Sequence, residues 1–320
     1  MVWLVLSDHS ATIARAYGAG VPIAEMVVAA RGEQGRVWRL DTDSAALAIK
    51  ELVLRLSPAD AEADVAYQEA MLATGAVLMP RPVRTIFGDV LCDLGGYQLR
   101  AYEWVDLLPT DHDLDPVIIG ATLATIHRVR HEPARPLIGW YTDPVGASRW
   151  TQLLDEAKAA DAPFAAALAE EIPQLLRLEA FIKPPANLQI CHRDLWADNI
   201  LPRPAGGVCV IDWENCGLAD PAQELPMAMI DFAFDDQQRI AELYLSYVEA
   251  GGPARINGYG SFTMVIAQFG HFWESAITAY LSANAPEAKA HSLDRIAELL
   301  NPPLRVRHLE EMLDTIASVR

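Results

Sequence analysis

His192, Arg193 and Asp194 stand in a row, Asn199 follows five residues after Asp194, and Asp212 closes the apolar run VCVID thirteen residues beyond Asn199. These residue types in this order suit phosphoryl transfer. That reaction needs an acceptor hydroxyl held in line, a place for its proton, and neutralisation of phosphate charge. One carboxylate, Asp194, can take the proton. A magnesium ion takes hard oxygen ligands, which the Asp212 carboxylate and the Asn199 side-chain amide oxygen can supply. His192 is expected to brace the loop through hydrogen bonds and not to act on substrate. An H-R-D tripeptide alone also fits a polar loop capping a helix; the asparagine and the strand-ending aspartate at these spacings point to chemistry.

The elements that must position these residues change texture along the chain. Residues 23–30 and 36–40 read as strands joined by a Gly-flanked loop at 31–35, residues 45–54 as a third strand, and about 60–74 as a helix that Gly75 can end. After the Pro-rich run LMPRPV, strands are expected near 84–92 and 97–105. Beyond Asp106 apolar residues recur at three- and four-residue spacing, and residues 116–130, 148–160, 163–181, 222–233, 236–250, 261–283, 286–300 and 303–318 read as helices. Residues 188–216 interrupt them with a short loop and two strand-like runs turned at Gly206-Gly207. The expected domains are a strand-rich lobe, 1–105, and a helical lobe, 106–320, carrying the catalytic loop.

The stretch ICHRDLWADNIL…VCVIDWE resembles the aminoglycoside phosphotransferase and choline kinase superfamily, as does the later Gly217–Leu225 segment GLADPAQEL. In that segment Glu224 stands where the family pattern G-x-x-x-D-P-x-x-D-L has aspartate. The resemblance spans roughly residues 20–300, with its specific part at 190–225. It implies an α+β, two-lobed protein-kinase-like fold, with an antiparallel sheet plus helix in the N-terminal lobe, and a kinase using ATP (or GTP) and Mg2+. A protein kinase is argued against because Trp213-Glu214 follows Asp212 where Phe-Gly would stand, and no A-P-E bounds a regulated loop.

On the nucleotide side, Leu47-Ala48-Ile49-Lys50 resembles the V-A-I-K strand, so Lys50 is expected to hold the α- and β-phosphates. Glu69 is the chosen partner for Lys50, with Glu62 and Asp64 as competitors. Gly32 and Gly35 flank a loop that serves as a weak phosphate cradle. Arg100–Asp106 reads as the strand into the hinge, where backbone groups of Glu103 to Val105 bind the adenine edge. For the acceptor, the candidate contacts are Asp198 and Trp196 in the loop, Glu214, Trp273-Glu274, and Asp231, Asp235 and Asp236. The aromatic stripe through Tyr259, Phe262, Phe269, Phe272, Trp273 and Tyr280 reads chiefly as core. His127 reads as a packed helix histidine.

Composition bounds the rest. A chain of 320 residues, 52% hydrophobic, can bury a sizeable core. The formal net charge of -18, with no basic stripe for nucleic acid, fits either general solubility or a carboxylate-lined cleft that steers a small cationic acceptor. The opening MVWLVLSDHS has no basic n-region or cleavage site, and no run reaches the ~20 apolar residues of a membrane span. Four cysteines lack CxxC spacing. A cytoplasmic enzyme, monomer or homodimer, is expected. A basic antibiotic is the expected acceptor; a choline-like amino alcohol or a sugar is the alternative, and a non-catalytic nucleotide-binding pseudokinase is a third reading.

Overall fold

The computed structural model describes residues 6–32, 35–132, 136–301 and 303–319. The chain is α+β and forms two compact units, Met1–Asp111 with Asp198–Cys216, and His112–Ala197 with Gly217–Arg320. The first unit therefore extends past the expected boundary at residue 105 and takes up the hairpin segment that the sequence assigned to the helical part. Backbone hydrogen bonds account for this: Leu108 N–H donates to Pro202 O at 2.8 Å, and Val210 N–H to Leu78 O at 2.9 Å.

In the first unit, β1 (Val27–Gly32), β2 (Gly35–Asp41), β3 (Ala46–Leu52), β4 (Pro82–Val83), β5 (Cys92–Leu94) and β6 (Tyr97–Glu103) form one antiparallel sheet. Its order is β1-β2-β3-β6-β4, with β5 also paired to β6. Alternation in β3 sends Leu47 and Ile49 into a core with Trp38, Leu40, Leu99 and Ala101, which leaves Ala48 and Lys50 on the opposite face. A short helix absent from the sequence reading, α1 (Ser10–Ala16), covers that core with Ile13 and Ala14, and the Tyr17 hydroxyl just beyond it donates to Leu99 O at 3.1 Å. Helix α2 (Pro58–Ala73) begins where the Ser57 hydroxyl accepts from Asp60 N–H at 3.1 Å and Pro58 takes the first helical position. The strand expected at 84–92 is not formed. Thr85 to Asp89 instead makes a turn, closed by Gly88 N–H to Thr85 O at 2.9 Å, with Gly88 at φ +89.

Strands β7 (Gln189–Cys191) and β10 (Gly217–Ala219) pair in the second unit, while β8 (Ile200–Pro202) and β9 (Val208–Val210) pair in the first, turned by Gly206 and Gly207 at φ +85 and +72. The second unit is otherwise helical: α3 (Pro116–Arg128), α4 (Ala147–Ala159), α5 (Ala165–Glu179), α6 (Pro221–Ala233), α7 (Gln237–Glu249), α8 (Thr263–Ser282), α9 (Pro286–Leu299) and α10 (Val306–Ser318). Trp150, Phe164, Leu168, Trp273, Ile277 and Ile296 centre one core there. Among the described residues no helix is long and apolar enough to cross a membrane.

Candidate active site

The first unit encloses a cavity of about 530 Å³. Ala30, Val37, Ala48, Leu201 and Ile211 give it apolar lining, and Glu103 to Val105 line it as well. Glu103 N–H donates to Arg81 O at 2.8 Å and Trp104 N–H to Ala46 O at 2.9 Å. Among the described residues no acceptor is bonded to the Val105 N–H. Lys50 and Asp212 stand in the same lining.

Lys50 Nζ lies 2.5 Å from an Asp212 carboxylate oxygen and 3.1 Å from Glu214. Burial opposes the charge of Lys50, but the two carboxylates hold its ammonium above the usual lysine range. Two carboxylates share one lysine, so the second ionisation of the pair is resisted. Burial first and the Glu214 carboxylate next push Asp212 up to about 7, against Lys50. Burial would raise Glu214 too, but Lys50, Arg100 and the Tyr102 hydroxyl hold it well below the usual carboxylate range.

Glu69 is not the partner of Lys50. It sits on the exposed side of α2, 3.3 Å from Arg84, which also binds Glu62 at 2.8 Å. The competitor Asp64 is buried, 2.8 Å from Arg100. Sequence reasoning looked for the Lys50 partner on this helix, whereas the lysine pairs with Asp212 and Glu214, and it overlooked Arg100 as a rival cation that takes the inward-facing Asp64. Gly32 and Gly35 are paired in the β1–β2 ladder, and Gly35 is not among the residues that line the cavity; the intervening Glu33 and Gln34 lie outside the described residues. Gly35 has a packing reason of its own, since a Cβ there would lie 1.9 Å from Glu51 O.

Asn199 ends a short 3-10 turn (Ala197–Asn199), is buried, and accepts from Ile211 N–H through its carbonyl at 2.9 Å. That bond ties Asn199 to the residue before Asp212. The donor set is all oxygen, a carboxylate and an amide, and it fits a magnesium ion, not a softer metal. Asp198 is exposed and accepts from the Thr110 hydroxyl at 2.6 Å. Glu214, expected at the acceptor, lies with Lys50 instead.

In the second unit the loop 192–197 rests on α6. Asp220 caps that helix by accepting from Ala222 N–H at 2.9 Å, Pro221 takes its first position, and the other Asp220 oxygen accepts from Ala186 and Asn187 N–H at 2.8 and 2.9 Å. The Asp-Pro pair thus sets where α6 starts. One turn on, Glu224 is fully buried; one of its oxygens accepts from Arg193 N–H and the other lies 2.7 Å from His127 Nε2. His127 Nδ1 in turn meets the Tyr247 hydroxyl at 2.9 Å. Burial would raise Glu224, but His127, His192 and the Arg193 N–H hold it below the ordinary glutamate range. His127, Cys191 and Glu224 are close enough to surround an ion, yet the His127–Glu224 hydrogen bond already uses those atoms.

Arg193 is buried with φ +66, a left-handed backbone, and its guanidinium lies over the Tyr141 ring at 4.3 Å. Asp194 follows it, half-buried; His192 before it is fully buried, and Trp196 beyond it is half-buried. Asp231 holds the end of the loop by accepting from Ala197 N–H at 2.5 Å. This positioning role was missed, because a carboxylate at the end of α6 reads equally well as an acceptor contact. Trp273, a candidate acceptor contact in the sequence, is fully buried in the core formed by α4, α5, α8 and α9. Glu274 binds Arg149 at 2.6 Å and His271 at 3.3 Å.

An antiparallel sheet with a lysine on its third strand, a cavity lined by that lysine and residues 103–105, and a loop of H-R-D-x-x-x-x-N type define a kinase-like phosphotransferase. Residues 25–259 match the phosphotransferase enzyme family, and the chain belongs to that family. No curated protein sequence matches it. Among solved structures it is similar to a spectinomycin phosphotransferase bound to ADP and spectinomycin, at 14% identity over 98% of this chain and 99% of that one, TM-score 0.70. It is also similar to an aminoglycoside phosphotransferase from Alicyclobacillus acidocaldarius, at 18% identity over 95% and 94%, TM-score 0.61. A microcompartment-associated aminopropanol kinase shares 17% identity over 89% and 94%, TM-score 0.56.

Proposed function

We propose that this protein transfers the γ-phosphoryl group of ATP, with magnesium, to a hydroxyl of a small cationic molecule. The observation that carries the reading is Lys50 bound to Asp212 at 2.5 Å in the lining of a cavity that residues 103–105 also line. The apolar walls take the adenine ring. The Val105 N–H and the Glu103 carbonyl match the acceptor and donor on the adenine edge. Lys50 binds the phosphates. Asn199 and Asp212 hold the magnesium ion, which neutralises phosphate charge when bound. Asp194 accepts the proton of the attacking hydroxyl, and the buried His192 and Glu224 keep its loop in place. The net charge of -18 favours approach of a cation, and a basic antibiotic of aminoglycoside type fits that chemistry.

The test is ATP consumption with magnesium against aminoglycosides, basic peptide antibiotics, macrolides and amino alcohols. One class should be turned over, and Asp194→Ala should lower kcat by about 10²–10⁴-fold while ATP still binds. Turnover of an amino alcohol alone would move the acceptor from antibiotic to metabolite. Unchanged turnover in Asp194→Ala would remove that residue from the mechanism.

A further inference from the structure

Lys50 and Arg100 are direct cross-strand partners in the β3–β6 ladder, so two cations stand side by side on one face of the sheet. Like charges in that register repel and need carboxylates close by. Asp64 on α2 serves Arg100, at 2.8 Å, with both side chains almost wholly buried. Of the remaining carboxylates on α2, Asp60 accepts from the Ser57 hydroxyl at the helix start, and Glu62 and Glu69 are drawn outward to Arg84. Helix α2 therefore gives its one buried carboxylate to Arg100 and none to Lys50.

Glu214 fills that place. One oxygen lies 3.1 Å from Lys50 Nζ; the other accepts the Tyr102 hydroxyl at 2.8 Å and stands 4.0 Å from Arg100. Its side chain is 9% exposed and held from three directions, by a strand lysine, a strand tyrosine and a strand arginine. Asp212 is closer to Lys50, but it is also the residue with a second task as metal ligand.

We infer that Glu214 is the positioning residue for the phosphate-binding lysine, doing from the segment after Asp212 what a glutamate on α2 would otherwise do. This rests on the nucleotide-site reading above. It follows that α2 pairs directly with Arg100 and reaches Lys50 through Arg100 and Glu214, not through a carboxylate of its own.

The experiment is calorimetric binding of ADP and of adenosine in EDTA, with no metal present. Wild-type protein binds both. Glu214→Gln keeps the shape but loses the charge, and should weaken ADP by about ten- to hundredfold, the range for a lost charged hydrogen bond, while leaving adenosine unchanged. Tyr102→Phe removes only the hydroxyl that steadies Glu214 and should weaken ADP in the same direction by less; it carries the test if Glu214→Gln does not fold. Glu69→Gln should change neither ligand. Equal loss of ADP and adenosine would mean a merely structural role and overturn the inference. So would unchanged ADP binding in EDTA with an altered magnesium requirement, which would make Glu214 a metal ligand. Weaker ADP in Glu69→Gln with Glu214→Gln intact would return the role to α2. Wild-type protein that binds neither ligand would overturn the nucleotide-site reading itself, and the inference with it.

Discussion

Glu224 accepts the backbone N–H of Arg193, so the residue before the proposed catalytic aspartate is fixed by a carboxylate on α6. The same carboxylate meets His127 at 2.7 Å, and nothing in this network is exposed. Glu224→Ala would leave the Arg193 N–H and His127 without that acceptor in a dry interior. Each orphaned donor costs about 1–3 kcal/mol. Urea unfolding should show that loss, with a smaller one for Glu224→Gln, whose amide oxygen still accepts one bond. Turnover should fall in both, because the loop carrying Asp194 loses its anchor.

Gly217 at the start of β10 lies against the same arginine. A Cβ at this position would come within 2.5 Å of the Arg193 guanidinium carbon. Arg193 is buried, with its guanidinium against the Tyr141 ring. Gly217→Ala should therefore destabilise by about 1–3 kcal/mol, the range for an overpacked interior. A thermal melt beside wild type checks it; an unchanged melting temperature would mean that Arg193 swings aside.

Much of this was legible because phosphoryl transfer restricts residue types more than residue surroundings. Lys50, Asp194, Asn199 and Asp212 stand out by identity and spacing alone, and the structure puts Lys50 and Asp212 in contact. The strand-then-helix order was equally readable from period two giving way to three and four. The unread parts depended on which way side chains face. Glu62, Asp64 and Glu69 are equivalent in sequence, and Arg100 decides among them by taking Asp64. Trp273-Glu274 read as an aromatic beside a carboxylate, but α8 is buried along most of its length, so the tryptophan is core. Helix α1 has only seven residues, too few for a periodic signal, and the 84–92 stretch has apolar residues enough for a strand but turns at Gly88.

Asp212 is expected to link activity to magnesium and to pH. Burial and Glu214 push its carboxyl up to about 7, so it gains a proton as pH falls through that value. A metal ligand must be ionised, and binding the ion displaces that proton. The magnesium concentration for half-maximal ATP consumption should rise as pH is lowered from 8 to about 6. Asp212→Asn should lose activity and magnesium response together. A full-rate Asp212→Asn enzyme would mean that the ion is held elsewhere.

The start of α10 is expected to make folding stability pH-dependent below neutrality. His308 Nδ1 accepts from Arg305 N–H at 3.1 Å, which a protonated ring nitrogen cannot do. Burial first, then the charges of Arg307 and Arg305, hold this histidine below its ordinary 6.5, against the opposing pull of Glu311 and Asp235. The unfolded chain thus takes up this proton more readily than the folded one. Stability from this group is complete above pH 6.5 and is lost as pH falls through the lower folded value. Urea unfolding at a series of pH values between about 7.5 and 5.5 should show that decline, set against His308→Gln. Glutamine can still accept the Arg305 N–H through its side-chain oxygen but carries no proton that titrates here, so the variant should keep its stability near neutrality and lose part of the decline below it. Superimposable pH curves for the two proteins would show that the acid sensitivity lies in other groups.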